Sequence, residues 1–392
     1  MVSGGTVMET VVSSIALGHV GRVLDRSIGR LRFQHITVLA RPDGLEFFHD
    51  DGVVETLLRL DAEVDVEGQT LVALRARVLV NLLQRLPRGS VTLTCDGDEF
   101  GVAGSAVSYG LVAERAARFP PKLPTDGVKV DDADYLDAFR RVVGASDRTG
   151  SDVPLVRIAP LGPDLRLDCH GFDCSASDML PGRAGTFGDR SAVVELESLA
   201  AVLSRFDGHR GSLTVARTDA PDGVWFIGRR RNSPVFVAAG TVLSAATALD
   251  ATELMSQSRP YTLTIDGSDL RKSLKRSALA GQSAGGYVTL RLADSESCEL
   301  LTRGGSASIS EIVRCVYTGP SIELTLRGRD LAAIVGRLKV PIVISFADNE
   351  HSVLIGDGKH LRCFVRPLPP AVDGGPQYPK QAQNVPFPVR TS

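Results

Sequence analysis

Two sets of side chains in this sequence are suited to chemistry. Cys169 and His170, with Cys174 just beyond, place two soft ligands and an imidazole in one short stretch. The spacing does not match a zinc knuckle, and no second ligand pair follows at finger distance. Adjacent residues on a strand point to opposite faces, which keeps a Cys–His nucleophile from assembling there. A thiol enzyme or hydrolase using this pair is the lesser reading, and neither a metal nor a cofactor is expected. No Gly-rich loop with Lys-Ser/Thr appears, so any ATP-driven step would belong to another protein. The second set is basic. Of 44 basic residues only seven are lysines, leaving 37 arginines that cluster on helix-patterned segments. Arginine suits phosphate forks, and codon bias also enriches it.

The elements that must hold these residues repeat. A short amphipathic helix ending in Arg or Lys, an alternating strand, an acidic turn and a second strand recur at Leu82–Gly104, Val202–Gly228 and Ile334–Gly356, about 120 to 130 residues apart. Each third opens on a further helix, near Val12–Arg30, Asp131–Arg148 and Gly267–Gly281. The last has Leu270, Leu274 and Leu279 on one stripe and Arg271, Lys272, Lys275 and Arg276 around the other side. Two helices per third give six. Period-two segments run between them at Thr37–Ala40, Val54–Asp61, Val91–Cys95, Val107–Val112, Val156–Ile158, Ser212–Ala216, Tyr287–Leu292 and Val343–Phe346, with Asp-Gly and Asp-Asn turns suited to antiparallel meanders. The fold class is α+β with more strand than helix.

Proline-bearing breaks at Pro120–Asp126 and Ser256–Pro260 delimit three domains, 1–128, 129–257 and 258–370, followed by a Pro/Gln-rich tail at 371–392. A formal net charge of −2 excludes global basicity as a signal for nucleic acid. No stretch reaches the roughly 18 apolar residues that cross a bilayer, so a cytoplasmic protein without membrane contact is expected. The six cysteines show no framework spacing and read as buried reduced thiols.

Three tandem helix–sheet–helix–sheet domains with basic helices resemble the bacterial sliding clamp, the β subunit of DNA polymerase III. Residues 70–126, with Leu86-Pro87-Arg88-Gly89, two strands and Phe119-Pro120, are similar to the end of that family's first domain. Residues 320–369, closing on Phe364-Val365-Arg366-Pro367-Leu368, resemble its last. The resemblance covers about residues 8 to 370. It implies a homodimeric head-to-tail ring, with helices lining a hole for duplex DNA and sheets outside, that keeps a polymerase processive without catalysis of its own. The implied phosphate contacts are Arg22, Arg26, Arg30, Arg77, Arg85, Arg140, Arg141, Arg148, Arg205, Arg210, Arg271, Lys272, Lys275, Arg276, Arg337 and Lys339. A solvated helix face explains any one of them alone; their recurrence on all six helices distinguishes the set. The implied ring seam sets Tyr109 and Leu111 of an edge strand against Leu279 and Ala280 of the partner copy, and plain core packing of Leu111 is the alternative.

The implied partners are double-stranded DNA, a second copy, a DNA polymerase and a clamp-loader ATPase, the last two through linear peptides, in the nucleoid-associated cytoplasm. The peptide pocket implied by the family would draw on Arg157, Cys169, Gly171, Phe172, Asp173, Cys174, Leu243, Phe364, Arg366 and Leu368. Here the chain departs from the family. Only Gly171 persists from a Thr-Asp-Gly-His-Arg-Leu wall, and Val242-Leu243-Ser244-Ala245-Ala246 replaces a Phe-Pro-x-Tyr loop. Arg157 and Arg366 stand at apolar positions. An arginine in an apolar groove favours acidic ligands, so the departures also suit an accessory paralogue with a private partner. Gln383 and Phe387 in the tail have the spacing of such peptides, a match that chance also produces.

Overall fold

The structure, a computed structural model, describes residues 8–28, 34–130, 137–142, 154–170, 174–180, 187, 190–206, 211, 213–219, 222–229, 234–244, 251–281, 286–303, 308–338, 341–358 and 361–368. It forms two compact units, Met1–Glu253 and Leu254–Ser392.

The first unit begins with β1 (Met8–Ser13), α1 (Ser14–Ser27), β2 (His35–Arg41), β3 (Gly44–Asp50), β4 (Glu55–Asp61), β5 (Val64–Val66), β6 (Thr70–Arg75) and α2 (Ala76–Gln84). It continues through β7 (Ser90–Asp96), β8 (Glu99–Ala103), β9 (Ser108–Val112), β10 (Glu114–Arg115) and β11 (Val128–Val130). A helical stretch at 137–142, α3, follows. Then come β12 (Leu155–Leu161), β13 (Asp164–His170), β14 (Cys174–Leu180), β15 (Ala192–Glu195), α4 (Leu196–Arg205), β16 (Leu213–Asp219), β17 (Asp222–Arg229) and β18 (Val235–Val242). A short α5 (Thr252–Ser256) spans the division between units. The second unit holds β19 (Tyr261–Ile265), α6 (Gly267–Gly281), β20 (Tyr287–Leu292), β21 (Ser297–Arg303), β22 (Ser308–Thr318), β23 (Ile322–Arg327), α7 (Gly328–Val335), β24 (Ile342–Phe346), β25 (Val353–Gly356) and β26 (Arg362–Val365).

One module, strand–helix–three strands, recurs six times in this order, twice in each third of the chain. This is the α+β fold of tandem two-helix domains expected from the repeat. Every ladder among the described residues is antiparallel. The first unit has a five-stranded sheet, β5-β1-β7-β8-β9, and a nine-stranded sheet, β10-β6-β2-β3-β4-β18-β17-β16-β11. It also has a ladder β15-β12-β13-β14. In the second unit the strands run β26-β25-β24-β19-β22-β21-β20-β23.

Amphipathic patterning explains the packing. In α1, Leu17, Val20 and Leu24 recur at helical spacing and are fully buried. Ser13 caps the helix, its hydroxyl accepting from the Ile15 amide at 3.2 Å. Gly21 faces α2 so closely that an added Cβ would lie 3.0 Å from the Leu83 Cβ. The glycine costs about 1 kcal/mol of helix propensity, which the close approach of the two helices offsets. In the nine-stranded sheet the Trp225 indole lies over Gly240, where a Cβ would fall 2.5 Å from the ring. On the helix side Phe226 meets α3 edge-on, its ring centroid 5.2 Å from that of Phe139 and inclined at 77°.

The cysteines behave as expected from their spacing. All six are free and only Cys315 is partly exposed, and burial pushes the Cys298 thiol up to about 12. Among the described residues no helix is long and apolar enough to cross a membrane. The tail at 371–392 lies outside the described residues.

Because Phe226 is completely buried, Phe226→Ala should destabilise the protein by about 3–5 kcal/mol. A urea titration followed by tryptophan fluorescence will show the loss through Trp225, its strand neighbour.

Candidate nucleic-acid interface

The apolar stripes that seat the helices leave their other faces to cations, and burial sorts those cations into two groups. In the first unit Arg22 and Arg26 share one exposed face of α1, four residues apart. Arg77 at the start of α2 and Arg85 just past its end are also exposed. Arg77 lies 3.4 Å from Asp25, and Arg140 of α3 lies 3.7 Å from Asp137. In the second unit Lys272, Lys275, Arg276 and Arg337 are exposed. Lys272 lies 3.6 Å from Asp269, and Arg276 donates to Glu311 at 2.6 and 2.7 Å. Exposed pairs of this kind contribute little to stability, so a phosphate can compete for the same guanidinium. Arg22, Arg85 and Lys275 have no ion-pair partner among the described residues.

Three of the expected phosphate contacts are committed to the protein instead. Arg141 makes a two-pronged pair with Asp178, Nε at 2.9 Å and an Nη at 2.8 Å, and Asp178 is 0% exposed. Arg271 donates to the carbonyls of Val335 and Leu338, closing the end of α7. Arg205 departs furthest from expectation, being only 4% exposed. It donates to the Arg26 carbonyl in the last turn of α1, to Ser204 Oγ at 3.0 Å and to Asp51 at 3.2 Å. Arg26 returns a bond to the Ser204 carbonyl at 3.0 Å. A cation at that terminus complements the helix dipole, which makes Arg205 a tie between α1, α4 and the β3–β4 turn. Arg30, Arg148, Arg210 and Lys339 lie outside the described residues.

Beside this tie His49 is 1% exposed, its Nε2 3.2 Å from Gln34 Oε1. Burial holds its pKa below the usual 6.5, opposed by Asp51 and assisted by Arg205.

The residues expected at the peptide pocket divide between the units. Cys169 and Cys174 are 2% and 1% exposed, so their thiols belong to the core and not to a surface wall. Strand alternation is the reason, since Leu165, Leu167 and Cys169 occupy one face of β13 and that face is buried. His170 and Gly171–Asp173 contribute no described side chain, and among the described residues no group of three His, Cys, Asp or Glu could hold a metal.

On the opposite face Arg157, Asp168 and Ser177 stand in register across β12, β13 and β14. Asp168 is 3% exposed, lies 3.6 Å from Arg157 Nη1 and 2.9 Å from Arg166 Nε, and accepts from Ser177 Oγ at 2.8 Å. Arg157 is therefore compensated by a buried carboxylate. Leu243 is half-buried. In the second unit Phe364 is buried beneath the Arg259 guanidinium, 5.3 Å from its ring centroid. Arg366 is exposed and Leu368 half-buried, its amide bonding the Thr325 carbonyl at 2.9 Å.

The edge strand β9 carries the two residues expected at the ring seam. Val102↔Tyr109 and Phe100↔Leu111 pair across the ladder, which puts Tyr109 and Leu111 on the core-facing side. Nevertheless Tyr109 is 43% exposed and Leu111 half-buried, because no strand follows β9 in the sheet. Leu279 and Ala280 lie within α6, but their side chains are outside the described set.

No family model matches the chain. The curated β sliding clamp of Micrococcus luteus is 25% identical over 270 residues, 67% of this chain and 83% of that protein. Among solved structures, the C. crescentus β sliding clamp superposes with a TM-score of 0.78 at 18% identity, covering 93% of this chain and 100% of the other. The Bacillus subtilis DNA polymerase sliding clamp gives 0.79 at 15% identity, with the same coverage. The Thermotoga maritima DNA polymerase III β subunit gives 0.75 at 14%, again over 93% and 100%.

The buried imidazole makes stability depend on pH. The unfolded chain takes up a proton near pH 6.5 that the folded His49 declines, so its contribution is intact above that pH and is lost as pH falls below it. Urea midpoints measured between about pH 7.5 and 5.5 should decline toward acid, and His49→Gln should flatten the slope.

Proposed function

We infer that the chain is a diverged member of the bacterial β sliding-clamp family, the β subunit of DNA polymerase III. It is a DNA sliding clamp, a processivity factor that holds a polymerase on duplex DNA without sequence preference. The observation that carries this is the whole-length match of the sixfold module to clamp structures, joined to exposed cations on helices of both units. In this reading two copies close head to tail, with β9 of one meeting the α6 end of the other. The helical cations then surround the duplex. Retention comes from topology, so each phosphate contact can be weak and exchange freely with counterions. Arg22, Arg26, Arg77, Arg85, Lys272, Lys275, Arg276 and Arg337 are the contacts we assign. Arg205, Arg141 and Arg271 keep the helices in place. A loader ATPase would open the ring, and the chain itself carries out no catalysis.

A second reading, an accessory clamp with a private partner, rests on the Arg157–Asp168–Arg166 cluster alone, and the comparisons do not favour it. A polar, charge-compensated strand face in place of an apolar wall rejects an apolar peptide, because seating one would desolvate the ion pair without replacing its bonds. A Gln-Leu-x-Leu-Phe peptide should bind more weakly than micromolar in a fluorescence titration. Micromolar or tighter binding would return the chain to the general replicative role.

The ring is tested by retention. Loaded protein should stay on nicked circular DNA and leave linear DNA of the same length, and its solution mass should be twice that of the chain. Leu111→Asp should give a monomer that is not retained. Arg22→Glu and Lys275→Glu should each reduce the salt slope of DNA binding by about 1. Equal retention on linear and circular DNA would overturn the assignment.

A further inference from the structure

We propose that a groove on the outer face of the nine-stranded sheet, beneath the strap at 116–127, docks a linear segment of another protein that carries acidic residues beside an apolar anchor. The site lies wholly within the first unit, and the proposal does not depend on ring closure.

Cross-strand register builds the floor. Phe48, Leu57, Ala238 and Ile227 form one row across β3, β4, β18 and β17. The strap covers that row. Leu123 packs against it, and Arg118 lies 5.4 Å above the Phe48 ring while pairing with Asp50 at 2.6 Å and with Glu55. The next row, Glu46, Arg59, Phe236 and Arg229, is only partly covered. Between it and Pro120–Leu123 runs a groove of about 620 Å³, within the range of small-ligand clefts. Leu57, Leu123 and Phe236 supply its apolar surface, and Arg41, Arg59, Arg229 and Lys122 its cationic rim.

The charge count selects the occupant. Four cations line the groove against Glu46 and Asp61, and Asp43 beside it holds Arg59 at 2.5 Å while Glu46 pairs with Arg41 at 3.3 Å, so Lys122 is the uncompensated charge. Asp61 is divided between Arg229 and Arg59, the latter 3.7 Å away, and Lys122 is exposed with no ion-pair partner among the described residues. On a chain whose net charge is −2, the groove keeps an excess of one positive charge, that of Lys122. Exposed guanidinium groups can turn to an incoming carboxylate at little cost, and the half-buried Phe236 beside them offers a place for an apolar side chain. The chain's own tail is a poor match, since residues 371–392 carry one acidic residue, Asp373, against Lys380 and Arg390.

The test is fluorescence anisotropy on the full chain with two labelled peptides, Gly-Ser-Asp-Leu-Phe-Asp-Asp-Gly and the same sequence with lysine for each aspartate. The acidic peptide should bind at least about tenfold more tightly. Lys122→Glu, an exposed change with no effect expected on the thermal midpoint, should weaken it by about tenfold, and Phe236→Ala should do likewise. Equal affinity for the two peptides or indifference to Lys122→Glu would overturn the proposal. So would displacement of the probe by duplex DNA, or tighter binding after removal of 371–392. Retention of Lys122→Glu on nicked circles is read separately, so failure of the groove and failure of the ring are distinguishable.

Discussion

The ladder between β4 and β18 is the interaction on which the first unit depends. Six registered pairs, from Val235↔Leu60 to Gly240↔Glu55, join strands from two thirds of the chain into one sheet. Each face of that ladder is then locked by an arginine. On the helix side Arg205 binds Asp51 and the end of α1; on the outer side Arg118 binds Asp50 and Glu55 across the strap. Removing the acidic partner of a buried guanidinium would leave an uncompensated charge, a loss of about 3–5 kcal/mol, so the inner lock is demanding as well as stabilising. The expected boundary at Pro120–Asp126 crosses this continuous sheet, which is why the flanking residues fall in one compact unit.

A buried or half-buried arginine whose donors are satisfied by carboxylates or helix carbonyls is a structural part, whereas an exposed one remains available to a mobile polyanion. The chain uses both. Arg205, Arg141 and Arg271 hold helices to their neighbours, and Arg22, Arg85 and Lys275 stay in solvent. The sliding role proposed above gives a reason for this division. Deep, well-paired phosphate contacts would hold the duplex still, while shallow ones allow exchange without release. The same division recurs on the outer surface, where Arg118 fastens the strap and Lys122, four residues on, is left unpaired at the groove rim.

Much of the architecture was legible in the chain itself. Helical spacing located α1 and α6 closely, and period-two alternation located β4, β7, β20 and β24 to within a residue or so. The repeated block marked α2, α4 and α7, because amphipathic helices and alternating strands are local patterns. The site was less legible. Cys169 and Cys174 were expected at a pocket wall and lie in the core, since strand alternation says that faces differ but not which one is covered. Asp168, Asp178 and Asp51 carry no local signal that separates them from ordinary acidic residues, yet each anchors an arginine from a distant segment. Pro120, Pro121 and Lys122 marked a break in the sequence, and only the fold set them beside Phe236 and Arg229.

Local periodicity, turn chemistry and triplication thus determined from sequence alone that this protein is a tandem α+β chain with cations on its helices. Which cations are spent internally, which faces are buried and where the strap leaves a groove were decided by tertiary structure. The physical reason is range. Hydrophobic patterning is written every two to four residues, whereas the partner of a guanidinium is chosen by contacts such as Arg205–Asp51, which lie 154 positions apart.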